Sequence, residues 1–214
     1  MIAIVPLKKE SIRVPNKNFK KFGNTRLVDL KIKTLLKVKG IDRIIINTDS
    51  DEVIQDLVSY DVDFVKRDSY YTTCSGSEFF ENIAINAPDD VLIYTPVTAP
   101  FVKASTLQDA IDIFNRGRND SVVSVTNIQD HVWYRGEPVN YDPQYTPNSH
   151  ELHGLYLINY GFGIHHRSGW IERRNIIGSD PMFYELTEIE AIDIDTPLEF
   201  EFAKYIYENG IYSM

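Results

Sequence analysis

The chain has 214 residues, 43% of them hydrophobic and 25% charged, with a formal net charge of −9. That is enough apolar material for one α/β domain with a full core, and the acidic balance argues against a general nucleic-acid binder. The apolar runs are too short to span a bilayer, and the single cysteine, Cys74, excludes an internal disulfide and fits a reducing cytoplasm.

The order of elements begins with Ile2 to Val5, a β-branched run that predicts a buried central strand. A secretory leader is not expected, because Lys8 and Lys9 arrive after only seven residues. Residues 6–18 form a stiff basic loop in which two prolines restrict bending. Residues 8–21 hold six cations (Lys8, Lys9, Arg13, Lys17, Lys20, Lys21) against Glu10, a net +5, so the remainder of the chain carries −14. A basic loop on an acidic body focuses a small anion, and a nucleoside triphosphate docked at the strand's end would meet Lys8, Lys9, Arg13 and Lys17 together. A solvated lysine-rich loop is the plainer reading.

Arg26 to Lys39 contains neither Gly nor Pro and predicts a helix closed by Gly40, with Val28, Leu30, Ile32, Leu35 and Leu36 among its apolar residues. Arg43 to Asn47 is the second buried strand. Thr48-Asp49-Ser50-Asp51 supplies caps for a helix with Val53, Ile54, Leu57 and Val58 on one face. Val62 to Lys66 is a third strand, ending at Arg67, and Asp68 to Gly76 is a loop. Ser77 to Ala87 predicts a helix with Phe80, Ile83, Ala84 and Ala87 inward. Val91 to Tyr94, a loop at 95–100, a helix from Ser105 to Arg116 and a strand from Ser121 to Thr126 follow. In that helix Leu107, Ala110, Ile111 and Phe114 point inward. This βαβαβαβαβ order implies a mostly parallel sheet covered on both faces. Ligands then bind beyond the carboxyl ends of the strands, where the loops at 6–18, 67–77 and 95–100 should all open.

The alternation breaks at Gln129 to His153, rich in aromatics and prolines. It is too long for an ordinary connection and reads either as an interface or as a self-packed flap. Leu155 to His166 is extended and interrupted by Gly161 and Gly163, and Met182 to Leu186 is another strand. Ala191 to Asp195 is read as extended, which puts Asp193 and Asp195 on one face with Ile192 and Ile194 in the core. Thr196-Pro197-Leu198-Glu199 fits a capping box that opens a final helix, with Leu198, Phe202, Tyr205 and Ile206 as its apolar face.

Two neighbouring carboxylates repel unless a cation lies between them. Mg²⁺ suits such a pair, because it takes few carboxylates and completes its shell with water and phosphate oxygens. Capping of the final helix is the alternative reading. The first glycine is Gly23, so the opening loop is neither a G-x-G-x-x-G fingerprint nor a Walker A loop. Cys74 has no histidine partner in sequence, and His165-His166 should point to opposite faces.

These motifs together resemble the cytidylyltransferases that make CMP-activated acidic sugars: the CMP-sialic acid synthetases and the related CMP-nonulosonate and CMP-Kdo enzymes. Their opening motif resembles Pro-Ala-Arg-x-x-Ser-Lys-x-Leu-Pro-x-Lys-Asn, and Ser11, Pro15, Lys17 and Asn18 match it directly. Lys8 stands where the family usually has arginine. Ile12 occupies the second lysine position, with Arg13 beside it, and Glu10 often corresponds to a glycine. Ile46 to Ser50 is similar to the family's Val-Ser-Thr-Asp segment, and Lys66-Arg67 to the arginine before its substrate loop. Thr98-Ala99-Pro100 resembles Thr-Ser-Pro, although Pro96 replaces a glutamine. Leu155-Tyr156-x-x-Asn159-x-Gly161 resembles a shifted Tyr-x-x-Asn-Gly-Ala, and Ile192 to Pro197 the closing motif.

The resemblance implies a three-layer α/β/α nucleotide-diphospho-sugar-transferase-like fold, Rossmann-like, over a single domain at 1–214 with a dimerisation excursion at 129–153. It implies transfer of CMP from CTP to an acidic sugar with release of pyrophosphate; a different acceptor, such as a Kdo-like sugar, a phosphonate or another sugar acid, is the alternative. Lys8, Ser11, Arg13 and Lys17 would hold the triphosphate, Asn18 and Arg67 the nucleoside, and Thr98 and Asn159 the acceptor. Asp193 and Asp195 would hold Mg²⁺ and, with Lys17, carry the catalysis. The implied partners are CTP, the acidic sugar and a second copy of the chain, with neither nucleic acid nor membrane.

Overall fold

A computed structural model describes residues 1–212. Seven strands form the main sheet: β1 (Ile2–Pro6), β2 (Arg43–Thr48), β3 (Asp63–Lys66), β4 (Val91–Tyr94), β5 (Ser121–Asn127), β6 (Tyr156–His166) and β7 (Pro181–Glu185). Six α-helices accompany them: α1 (Leu27–Leu35), α2 (Asp51–Leu57), α3 (Gly76–Asn86), α4 (Ala104–Asn115), α5 (Arg167–Arg173) and α6 (Pro197–Glu208). The spatial order is β7-β5-β6-β4-β1-β2-β3. Every pairing is parallel except those of β6, which runs antiparallel between β4 and β5.

Alternation in the central strand divides the core. Ala3 and Val5 face a large apolar cluster with α1, α2, α4 and α6, while Ile2 and Ile4 face a smaller one with α3 and α5. This is the mostly parallel, doubly covered sheet expected from the order of elements. The sequence order changes direction at β1, whose neighbours are β2 and β4. That crossing point is where an open α/β sheet offers a crevice.

Three readings are corrected. Residues 191–195 join no ladder; their one backbone-to-backbone bond to a distant segment runs from the Ile194 amide to the Thr98 carbonyl at 2.9 Å. Alternating Ile and Asp fit an extended loop as well as a strand, and a strand needs a paired neighbour. In α6 the buried stripe is Phe200, Ala203 and Ile206, while Leu198, Phe202 and Tyr205 are exposed. Two apolar stripes fit helical spacing there, and Phe22 settles the choice by packing edge-on to Phe200 at 5.7 Å. In α2 only Val53 and Leu57 are buried, and Val58 faces solvent.

Candidate active site

The basic loop is stitched down from within. Leu7 continues the β1–β2 pairing through its amide to the Asn47 carbonyl at 2.9 Å, and Leu7 and Val14 are buried as anchors. Asn16 adopts a left-handed backbone, φ 54°, which asparagine tolerates better than most residues. Its carbonyl then accepts the amides of Phe19 and Lys20 at 2.9 and 2.8 Å. Asn18 closes the loop across its base, donating Nδ2–H to the Lys8 carbonyl at 3.0 Å. The turn sends Lys17 inward, so it is 7% exposed rather than solvated.

Lys17 meets the acid pair there. Its Nζ donates to the Ile194 carbonyl and lies 3.4 Å from Asp195 Oδ1. Arg13 lies 2.7 Å from the same oxygen. Burial pulls the Lys17 pKa below the usual lysine value, opposed by Asp195 and Asp193. The charge that balances Asp195 is therefore supplied by two side chains of the basic loop. Glu199 accepts the amides of Asp195 and Thr196, both at 2.7 Å, which completes the capping box and fixes where α6 begins.

Asp193 is placed differently. Burial, then the neighbouring Asp195, push its pKa above the ordinary carboxylate value, against a hydrogen bond from Thr98. Its Oδ1 is buried and accepts no hydrogen bond among the described residues. No cluster of three or more His, Cys, Asp or Glu side chains that could hold a metal occurs among the described residues. Two carboxylates, one with an unpartnered oxygen, are the sparse donor set that suits Mg²⁺ completed by water and phosphate.

The opposite wall comes from β3 and α3. Arg67 follows β3 and is 7% exposed. Its guanidinium donates to the backbone and side-chain oxygens of Asn47 and lies over the Phe79 ring, 5.4 Å from its centre. Ser75 and Glu78 form a capping box that opens α3 and bring Cys74 and Gly76 to the same edge.

Together these segments line a cleft of about 600 Å³, a usual size for a small-molecule site. Lys8, Ser11, Arg13, Lys17, Asn18, Arg67, Thr98 and Asp195 all border it, with Pro96, Phe79 and Tyr94. Ser11 Oγ, Asn18 Oδ1 and Arg67 Nε are buried there without partners. Such unmet polar atoms in a folded chain call for an explanation, and a bound polar ligand is one.

Asn159 does not border the cleft. Its side chain bonds Ser124 Oγ at 2.6 Å, Thr126 Oγ1 at 3.1 Å and the Gly161 amide at 3.2 Å, securing the bulge in β6. Tyr94 and Lys31 escaped the sequence reading. Lys31 has a legible signal, because it falls in the apolar stripe of α1 between Val28 and Leu35. His165 is buried and His166 exposed, as alternation requires.

A family model described as cytidylyltransferase matches residues 2–213. A pseudaminic acid cytidylyltransferase of Campylobacter jejuni is 23% identical over 222 residues, covering 97% of this chain and 96% of that protein. A CMP-N,N'-diacetyllegionaminic acid synthase of Legionella pneumophila is 25% identical over 230 residues, covering 97% and 96%. Among solved structures, a CMP:2-keto-3-deoxy-manno-octonic acid synthetase complexed with CTP superposes with a TM-score of 0.71 at 12% identity, covering 98% of each chain.

Proposed function

The chain belongs to the cytidylyltransferase family, and from that premise we propose that it transfers CMP from CTP to an acidic sugar of the nonulosonate class. The cleft's unpartnered polar atoms, gathered around a loop of cations, are the observation that carries this reading. In the reaction the acceptor hydroxyl attacks the α-phosphorus. A new P–O bond forms, the bond to the β-phosphate breaks, and pyrophosphate leaves. Such chemistry depends on charge neutralisation and alignment more than on covalent help from the protein.

Lys8, Arg13 and Lys17 hold the triphosphate, with Ser11 and the loop amides as further donors. Asn18 and Arg67 face the nucleoside, and Phe79 offers an apolar wall beside them. Asp193 and Asp195 would hold Mg²⁺, which when bound would supply positive charge to phosphate oxygens. One of the two carboxylates takes the proton released by the attacking hydroxyl. Pro96 and Thr98 border the acceptor side. The protein works in the cytoplasm as a homodimer assembled through residues 129–153, whose exposed Trp133, Tyr134 and Tyr145 suit an interface core. No helix among the described residues is long and apolar enough to cross a membrane.

Nucleotide choice is tested by thermal shift. CTP with Mg²⁺ should raise the melting temperature more than ATP, GTP or UTP at equal concentration. Equal shifts for all four would remove the assignment.

A further inference from the structure

Lys31 is a charged side chain that the proposed reaction leaves without a task. It sits on the core face of α1 and is 1% exposed. Its Nζ donates to the Ala99 carbonyl at 2.8 Å, its one hydrogen bond among the described residues. An ammonium has three donors, and a buried charge is costly unless it is paired. Methionine would fill the same space without that cost, so packing alone does not account for a lysine.

What lies around it does. Ala99 follows Thr98, whose carbonyl accepts the Ile194 amide at 2.9 Å. Ile194 stands between Asp193 and Asp195, so this bond anchors the segment that carries the acid pair. One buried ammonium thus grips the bend that carries Thr98, and Thr98 grips the segment that carries the acid pair. Lys31 itself does not border the cleft.

We propose that Lys31 is a positioning residue: it fixes the Thr98–Pro100 bend, and through the Thr98 carbonyl and the Ile194 amide it holds in place the segment that carries Asp193 and Asp195. This inference rests on the role proposed for Asp193 and Asp195. It assigns to a core helix the task of holding the bend and the segment that bring Thr98 and Asp195 to the cleft.

The test is Lys31→Met, read two ways. In the ligand-free protein, amide exchange at Ile194 should quicken at least tenfold, while the amides of Ile4 and Val5 in β1 stay as they were. In turnover, kcat should fall at least tenfold with KM for CTP within threefold of the parent. Lys31→Gln keeps a donor for the Ala99 carbonyl and should recover part of both, and it serves if the methionine variant does not fold. A side chain that only fills the core predicts unchanged exchange at Ile194 and a kcat reduced only by the folded fraction; either result overturns the proposal. If the parent protein releases no pyrophosphate from CTP, the proposed function fails, while the exchange measurement still decides whether Lys31 holds this bend.

Discussion

The cleft and the excursion at 129–153 are incomplete in opposite ways. Around the cleft, polar atoms lack partners: Ser11 Oγ, Asn18 Oδ1 and Arg67 Nε are buried and unmatched. In the excursion the polar groups find one another. Trp133 Nε1 donates to the Tyr141 hydroxyl at 2.6 Å, and Asn140 bridges the Val132 amide and the Asp130 carbonyl at 3.0 and 2.9 Å. What it leaves open is apolar: Trp133, Tyr134 and Tyr145 are 54%, 63% and 73% exposed. Unmatched polar atoms in a crevice call for a small charged ligand. Unmatched aromatic surface calls for another protein surface.

The sharpest way to break this contrast is Lys17→Met. A cation facing a transferring phosphate is worth about 3–4 kcal/mol, or roughly 10²–10³ in rate. Because Lys17 is buried against the Ile194 carbonyl, methionine keeps the packing while removing the charge. Pyrophosphate release should fall by that factor with little change in melting temperature. Near-normal turnover would separate the loop from the chemistry.

The two aspartates divide the contrast further. Each changed to asparagine should cost roughly 10² in turnover, since metal charge stabilisation is worth several kcal/mol. Their stabilities in EDTA should differ in sign. Asp195→Asn leaves Arg13 and the buried Lys17 without their anion and should melt lower. Asp193→Asn removes a desolvated charge that repels Asp195 and should melt at the same temperature or higher. Melting curves in EDTA beside Mg²⁺-dependent rates check both.

On the excursion side, Trp133→Ala, Tyr134→Ala and Tyr145→Ala combined should convert a dimer into a species of the chain's own 24.7 kDa by light scattering. A parent protein already at that mass would end the interface reading.

The smallest expected effect concerns pH. Burial pushes the Lys31 pKa down to about 7 from the ordinary 10.5. Between those values the unfolded chain binds a proton at this position that the folded chain does not, so the group's contribution to stability rises with pH. The melting-temperature advantage of Lys31→Met over the parent should be largest below pH 7 and shrink toward pH 10. A gap constant with pH would mean that the lysine is charged throughout.

Much of this architecture was legible in the residues. The buried strands, and the inward faces of α3 and α4, follow from a single possible periodicity each. The face of α6 did not, because two apolar stripes fit the same spacing and only contact with Phe22 distinguishes them. The acid pair was legible as chemistry but not as geometry: its partners Arg13 and Lys17 lie some 180 positions earlier in the chain. Lys31 was passed over because a lysine on a helix reads as solvated, and its burial depends on the 95–100 loop folding over α1.

The most direct test of the central claim is pyrophosphate release from CTP in the presence of Mg²⁺, with acidic sugars of the nonulosonate class supplied in turn and ATP as the comparison. The account predicts release that requires both CTP and one of these acids, forming a CMP-sugar in equal amount. Release with ATP at the same rate, or none from CTP with any of the acids, would contradict it.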